Sequence, residues 1–318
     1  MILQTKVIIQ KEANNPISYA SKMVLLGSCF SENIGAQLDH FKFQTVQNPY
    51  GILFHPKAIK TLVANAIHEK TYTQKDLVFQ NERWHCFDAH SNLSALVKKN
   101  ILSQLNKATA ATNLALKEAT HLLITLGTSW VYRETASQKI VANCHKISQK
   151  NFSKEILSVQ EVTETLSEII ALIRSLNTKV NIIFTVSPVR HLKDGFIENT
   201  QSKSHLIAGI QTLLCSSKST KLHYFPSYEI MMDELRDYRF YAEDLIHPNT
   251  TAIQYIWERF TTTWIDEKAS EMMQEINTIQ KGLSHRPFDI NSMQYQKFLT
   301  NLSSKIAKIE TAFPFMKF

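Results

Sequence analysis

The chain has 318 residues, 44% of them hydrophobic, and its 35 Lys and Arg outnumber 28 Asp and Glu for a formal net charge of +7. That length and apolar content are enough to bury a sizeable core, and the 7 Gly and 8 Pro gather into no flexible linker. The basic residues are scattered in short pairs such as Lys98-Lys99, with no basic block or arginine-rich arm, so no nucleic-acid partner is expected. The four cysteines, Cys29, Cys86, Cys144 and Cys215, form no CxxC spacing and indicate neither a zinc site nor a disulfide framework. Met1 to Gln10 carries Val7, Ile8 and Ile9 but no basic region followed by a long apolar stretch, and no run reaches the length of a membrane span. A cytoplasmic location without a membrane partner is the expectation.

In chain order, the first strand is expected at Met23–Leu26, an apolar run ending in Gly27-Ser28. A helix follows with its cap near Ser31 and Ile34, Leu38 and Phe41 on one face. Phe43–Val46 reads as a short strand, and Leu77–Phe87, with Trp84 and Phe87, as an inserted hairpin. The strand His121–Leu126 runs into Gly127-Thr128-Ser129, and Trp130–Cys144 is a second insertion. Val180–Val186 and Leu222–Phe225 are further strands. The helix after Pro248-Asn249 puts Ile253, Ile256, Trp257 and Phe260 on one stripe. From about Ala269 the pattern is helical and polar, with Phe313 and Phe315 near the end. Strands alternating with helices predict an α/β protein whose mostly parallel five-stranded sheet is covered on both faces. We place one domain over 1–268 and a helical C-terminal extension packed on it over 269–318.

A serine at the carboxyl edge of a strand, followed at once by a helix, either caps that helix or serves as a nucleophile beside the positive end of the helix dipole. Ser28 stands there. Asp244 and His247, three residues apart before the last helix of the body, supply a carboxylate to fix an imidazole tautomer and an imidazole to act as base. The order Ser28, Asp244, His247 is that of a serine triad. An oxyanion needs donors, and the Ser28 amide, the Asn48-Pro49-Tyr50-Gly51 turn and the Gly127-Thr128-Ser129 turn are the candidates.

The segment Gly27-Ser28-Cys29-Phe30 resembles the opening signature of the GSCFA family, with Ser31 in place of its alanine. The resemblance continues through Asn48–Leu53, Thr125–Tyr132, Val141–Lys146, Thr185–His191 and Asp233–Tyr241, covering about Thr5 to Phe260. That family looks like a branch of the SGNH or GDSL-like hydrolases, which implies a flavodoxin-like three-layer α/β/α fold and an esterase or deacetylase activity. It implies Ser28 as nucleophile, Asp244 and His247 as its partners, and Ser28, Gly51 and Ser129 as oxyanion donors, Ser129 standing where the larger group has asparagine. Asn48, Trp130, Arg190 and His191 are candidate substrate contacts; Arg190 has the competing reading of an ion pair with Asp233 or Asp237. No metal or organic cofactor is implied, and the expected partner is a small-molecule or glycan ester. A fold-retaining binding protein and an acyltransferase stay open as alternatives, and the oligomeric state is not fixed.

Overall fold

Strand β1, Lys22–Gly27, owes its unbroken apolar sequence to burial on both faces: Met23 and Leu25 enter one apolar layer, Val24 and Leu26 the other. The computed structural model describes residues 4–318; Met1, Ile2 and Leu3, the head of the N-terminal stretch read above, lie outside the described residues. After β1 come α1 (Cys29–His40), β2 (Gln44–Gln47), α2 (Pro56–Ile67), the antiparallel hairpin β3 (Leu77–Gln80) and β4 (Arg83–Cys86), and α3 (Lys98–Glu118). Next are β5 (His121–Leu126) and a small antiparallel sheet of β6 (Trp130–Glu134), β7 (Ile140–Val141) and β8 (Phe152–Ile156). The chain continues through α4 (Val159–Leu176), β9 (Asn181–Val186), α5 (Phe196–Ser216), β10 (Leu222–Tyr224), the short α6 (Ser227–Glu229), α7 (Thr250–Trp264), α8 (Glu267–Leu283) and α9 (Met293–Ala312).

The main sheet has the order β10-β9-β5-β1-β2, and every neighbouring pair is parallel. Numbering its strands by appearance gives 2-1-3-4-5, the flavodoxin-like order, with growth of the sheet reversing between β1 and β5. Ile59, Leu105, Leu166 and Leu206 from α2, α3, α4 and α5 cover one face over Val24, Leu122 and Ile182. Ile34 and Leu38 of α1 with Ile256 and Phe260 of α7 cover the other over Met23, Leu123 and Ile183. Ile276, Ile279, Leu302 and Ile309 of α8 and α9 join this second layer.

Three local expectations need correction. Helix α1 starts at Cys29, and its N-cap is Ser28, not Ser31, because Ser28 is extended (φ −73°, ψ 173°) and its hydroxyl accepts the Phe30 N–H. Ser31 is buried inside the first turn, where its hydroxyl donates to Thr125 Oγ1 at 2.7 Å. The buried stripe of α7 is Ala252, Ile256, Trp257 and Phe260, with Ile253 only half-buried. The second insertion also reaches past Cys144, because β8 pairs with β6.

Candidate active site

Where the sheet reverses, the carboxyl ends of β1 and β5 lie side by side, the place where sheets of this order hold ligands. The two strands approach so closely that Gly27 (φ +137°) has no room for a Cβ, which would run into the Thr125 carbonyl. That contact also fixes Ser28: its N–H donates to the Thr125 oxygen at 3.1 Å. The Ser28 side chain is only 2% exposed, and its Oγ accepts from the Phe30 N–H at 3.3 Å.

Asp244 and His247 meet in a tight turn made possible by Leu245 in the left-handed region (φ +57°). His247 Nδ1 lies 2.6 Å from Asp244 Oδ2, while Asp244 Oδ1 accepts the Ile246 and His247 N–H groups at 2.9 and 3.0 Å. The His247 N–H, then its imidazole, then the Ile246 N–H hold the Asp244 carboxyl down at about 2. A carboxylate can only accept, so Nδ1 carries the proton and Nε2 is left with a lone pair, the tautomer a general base requires. Both side chains are about half exposed, 46% and 50%. The segment Asp233–Tyr241 braces this turn: Tyr241 bridges to Pro248, and Asn249 Nδ2 donates to the Arg239 and Tyr241 carbonyls. Among the described residues no hydrogen bond joins Ser28 Oγ to His247, so the dyad is formed while the serine still caps α1.

The expected oxyanion donors are engaged elsewhere. The Ser28 N–H is on Thr125, and the Gly51 N–H closes the Asn48–Gly51 turn on the Asn48 carbonyl at 2.7 Å. Ser129 is fully buried; its N–H donates to Ser202 Oγ at 2.7 Å and its hydroxyl to the Ser202 carbonyl at 3.3 Å. Asn48 behaves differently. It is left-handed (φ +38°), its N–H donates to Leu25 O, and its Oδ1 accepts the Gly27 N–H at 2.9 Å.

Of the other candidate contacts, Trp130 and His191 line a cavity of about 350 Å³ together with Phe54, Thr128 and Asn143. Trp130 faces it with Lys154 over its ring at 4.4 Å and its Nε1 on the Glu198 carbonyl at 3.3 Å. Gly127, just after β5, packs against two residues of this cavity: a Cβ there would sit 2.9 Å from Phe54 Cβ and 3.0 Å from His191 Nε2. His191 is half-buried, and desolvation pushes its imidazole down to about 3, with Lys203 and then His247 adding repulsion. Arg190 follows neither expected course. Its guanidinium lies over Tyr241 (4.2 Å) and Tyr238 (5.2 Å) and, among the described residues, pairs with no carboxylate.

Lys203 was not legible as a site residue. It is 1% exposed on α5, donates to the Ser187 carbonyl at 2.7 Å, and burial lowers its ammonium to about 7 against a small opposing effect of the Cys29 thiol. The signal available was positional: Asn199, Ser202 and Lys203 fall on the same stripe as the buried Leu206, Ile210 and Leu213. Burial also pushes the Cys29 thiol up, away from the thiolate a cysteine nucleophile needs.

A parallel five-stranded sheet of this order, helices on both faces and polar loops at its reversal define a flavodoxin-like three-layer α/β/α protein. The chain belongs to the GSCFA family, whose profile matches residues 22–260, and a second profile, the C-terminal domain of GSCFA domain proteins, matches 276–318. No curated protein matches the chain. Among solved structures, it is similar to a carbohydrate esterase family 3 protein from Talaromyces cellulolyticus at 7% identity, covering 81% of this chain and 99% of that one, with a TM-score of 0.38. A family two carbohydrate esterase from Clostridium thermocellum, in complex with cellohexaose, gives 10% identity, coverage of 84% and 67%, and a TM-score of 0.36. An acetyl xylan esterase from the rumen bacterium Butyrivibrio proteoclasticus gives 8%, 83% and 66%, and 0.40. Among the described residues no helix is long and apolar enough to cross a membrane.

Proposed function

We propose that this protein is a serine esterase that removes a small acyl group, such as an acetyl, from an alcohol oxygen of a small molecule or glycan. The observation that carries the reading is the 2.6 Å Asp244–His247 contact, which leaves Nε2 free to act as a base, on a turn tied through Ile246 to the loop after β9 of the sheet whose β1 leads into Ser28. Ser28 Oγ releases the Phe30 N–H, passes its proton to His247 Nε2 and bonds to the ester carbonyl carbon. The imidazolium, stabilised by Asp244, returns that proton to the leaving alcohol. Water then attacks the acyl-serine with His247 again as base and frees the acid and the serine. The cavity lined by Phe54, Trp130 and His191 is the place for the group beyond the ester.

A second reading, a non-catalytic binding protein, is favoured by one feature: Ser28 is buried and engaged as a helix cap. Hydrolysis of p-nitrophenyl acetate and labelling by a fluorophosphonate separate the two. The esterase reading expects both in the wild type and neither in Ser28→Ala; their absence from the wild type across the range where an imidazole base is neutral supports the binding protein.

A further inference from the structure

We infer that Asn48, through its side-chain Nδ2, is the oxyanion donor of this site, in place of the Ser129 hydroxyl; the inference rests on the esterase reading above.

Four observations converge on it. Asn48 is more than nine-tenths buried, yet its Nδ2 has no hydrogen-bond partner among the described residues. A buried amide donor left unpaired costs free energy that a native fold rarely leaves unrecovered. The orientation of the amide is fixed, because the Gly27 N–H can only donate and so takes Oδ1 at 2.9 Å. Nδ2 is therefore the free end of a planar group pinned beside the residue that precedes Ser28. Asn48 also holds φ +38°, in the left-handed region that asparagine enters more readily than other side chains, and its backbone is held there by its surroundings. Here the surroundings are its own N–H on Leu25 O and its carbonyl on the Gly51 N–H, both at the end of the strand next to β1. Finally, Ser129 has spent both its donors on Ser202, and the N–H groups of Ser28 and Gly51 are likewise taken. As Ser28 Oγ bonds to the carbonyl carbon, the carbonyl oxygen gains the charge and Nδ2 donates to it.

The test uses the full chain with two substitutions. Asn48→Asp keeps an oxygen for the Gly27 N–H but exchanges the donor for an acceptor, and Asn48→Gly removes the side chain at a backbone angle glycine accepts. With p-nitrophenyl acetate, both are expected to lower kcat by about 10²- to 10³-fold with KM changed less than about threefold, and to slow fluorophosphonate labelling of Ser28 by a similar factor. A residue with only a structural role would lower the melting temperature in Asn48→Gly while leaving Asn48→Asp near wild-type kcat. Wild-type labelling rates in both variants, with labelling still abolished by Ser28→Ala, overturn the assignment of Asn48 and leave the esterase reading intact. Absence of Ser28-dependent chemistry in the wild type overturns both.

Discussion

The Arg190 N–H donates to the Ile246 carbonyl at 3.2 Å, tying the loop after β9 to the turn that carries Asp244 and His247. The dyad is therefore not a free surface loop: it is anchored to the edge of the same sheet that carries Ser28, next to the residue that precedes His191.

Removing the orienting carboxylate leaves that anchor and takes away the tautomer. Asp244→Ala is expected to fold, since both side chains of the dyad are half exposed, and to lower Ser28-dependent ester hydrolysis by about 10²- to 10⁴-fold. Steady-state kinetics with p-nitrophenyl acetate check this, and activity within threefold of wild type would remove Asp244 from the mechanism.

Two glycines separate fold from site. Gly27→Ala forces a Cβ against the Thr125 backbone at φ +137°, where neither strand can yield, and is expected to cost about 3 kcal/mol or more. Gly127→Ala meets Phe54 Cβ at 2.9 Å and His191 Nε2 at 3.0 Å, a milder overlap than at Gly27 and one with residues that line the cavity, so a smaller loss of stability and an altered cavity are expected. Thermal melts should show a large loss for the first and a small one for the second, which should instead lose ester hydrolysis.

Acid should weaken the protein well before its carboxylates titrate. Burial pushes the imidazoles of His55 and His145 down to about 4 and of His191 to about 3, so the folded chain keeps them neutral while the unfolded chain protonates them near 6.5. Below 6.5 the unfolded state binds more protons, and stability falls by up to about 2 kcal/mol per imidazole at pH 5. Asp244 acts in a different window: its depressed carboxyl stabilises the fold above its ordinary range and that contribution is lost only as pH drops toward 2. Urea midpoints at pH 7.5 and 5.0 measure the effect; equal midpoints would contradict it.

Lys203 extends a slope of the same sign to the alkaline side. Its ammonium titrates near 7 when buried and near 10.5 when unfolded, so between those values the unfolded chain binds the extra proton and stability rises with pH. Lys203→Met removes the buried charge and also the donor to Ser187 O. It should be more stable than wild type at pH 7 by about 1–3 kcal/mol and no more stable at pH 10, where the lost hydrogen bond remains. Parallel melting curves for the two chains would sink this assignment.

The sheet was legible because its physics is local. Met23–Leu26 and His121–Leu126 are apolar on both faces, which a strand buried between helix layers requires, and Gly27 and Asn249 punctuate helix starts in the sequence itself. The dyad was legible for the same reason, since three residues bring Asp244 and His247 together. What spans the fold was not. Whether Ser129 can donate depends on Ser202, 73 positions away, and whether Asn48 has a free donor depends on the Gly27 N–H. Lys203 looks like any helical lysine until the packing of α5 against the end of β9 encloses it.

Ser28 holds the first turn of α1 through its hydroxyl, and that oxygen cannot both accept the Phe30 N–H and carry an acyl group in the same way. Acylation would thus uncap the helix: the amides of Phe30 and its neighbours should exchange with deuterium faster in the acyl-enzyme than in the free protein, and deacylation should restore them. The folding stability of α1 and the chemical state of the serine would then be read from the same peptide in a mass spectrum.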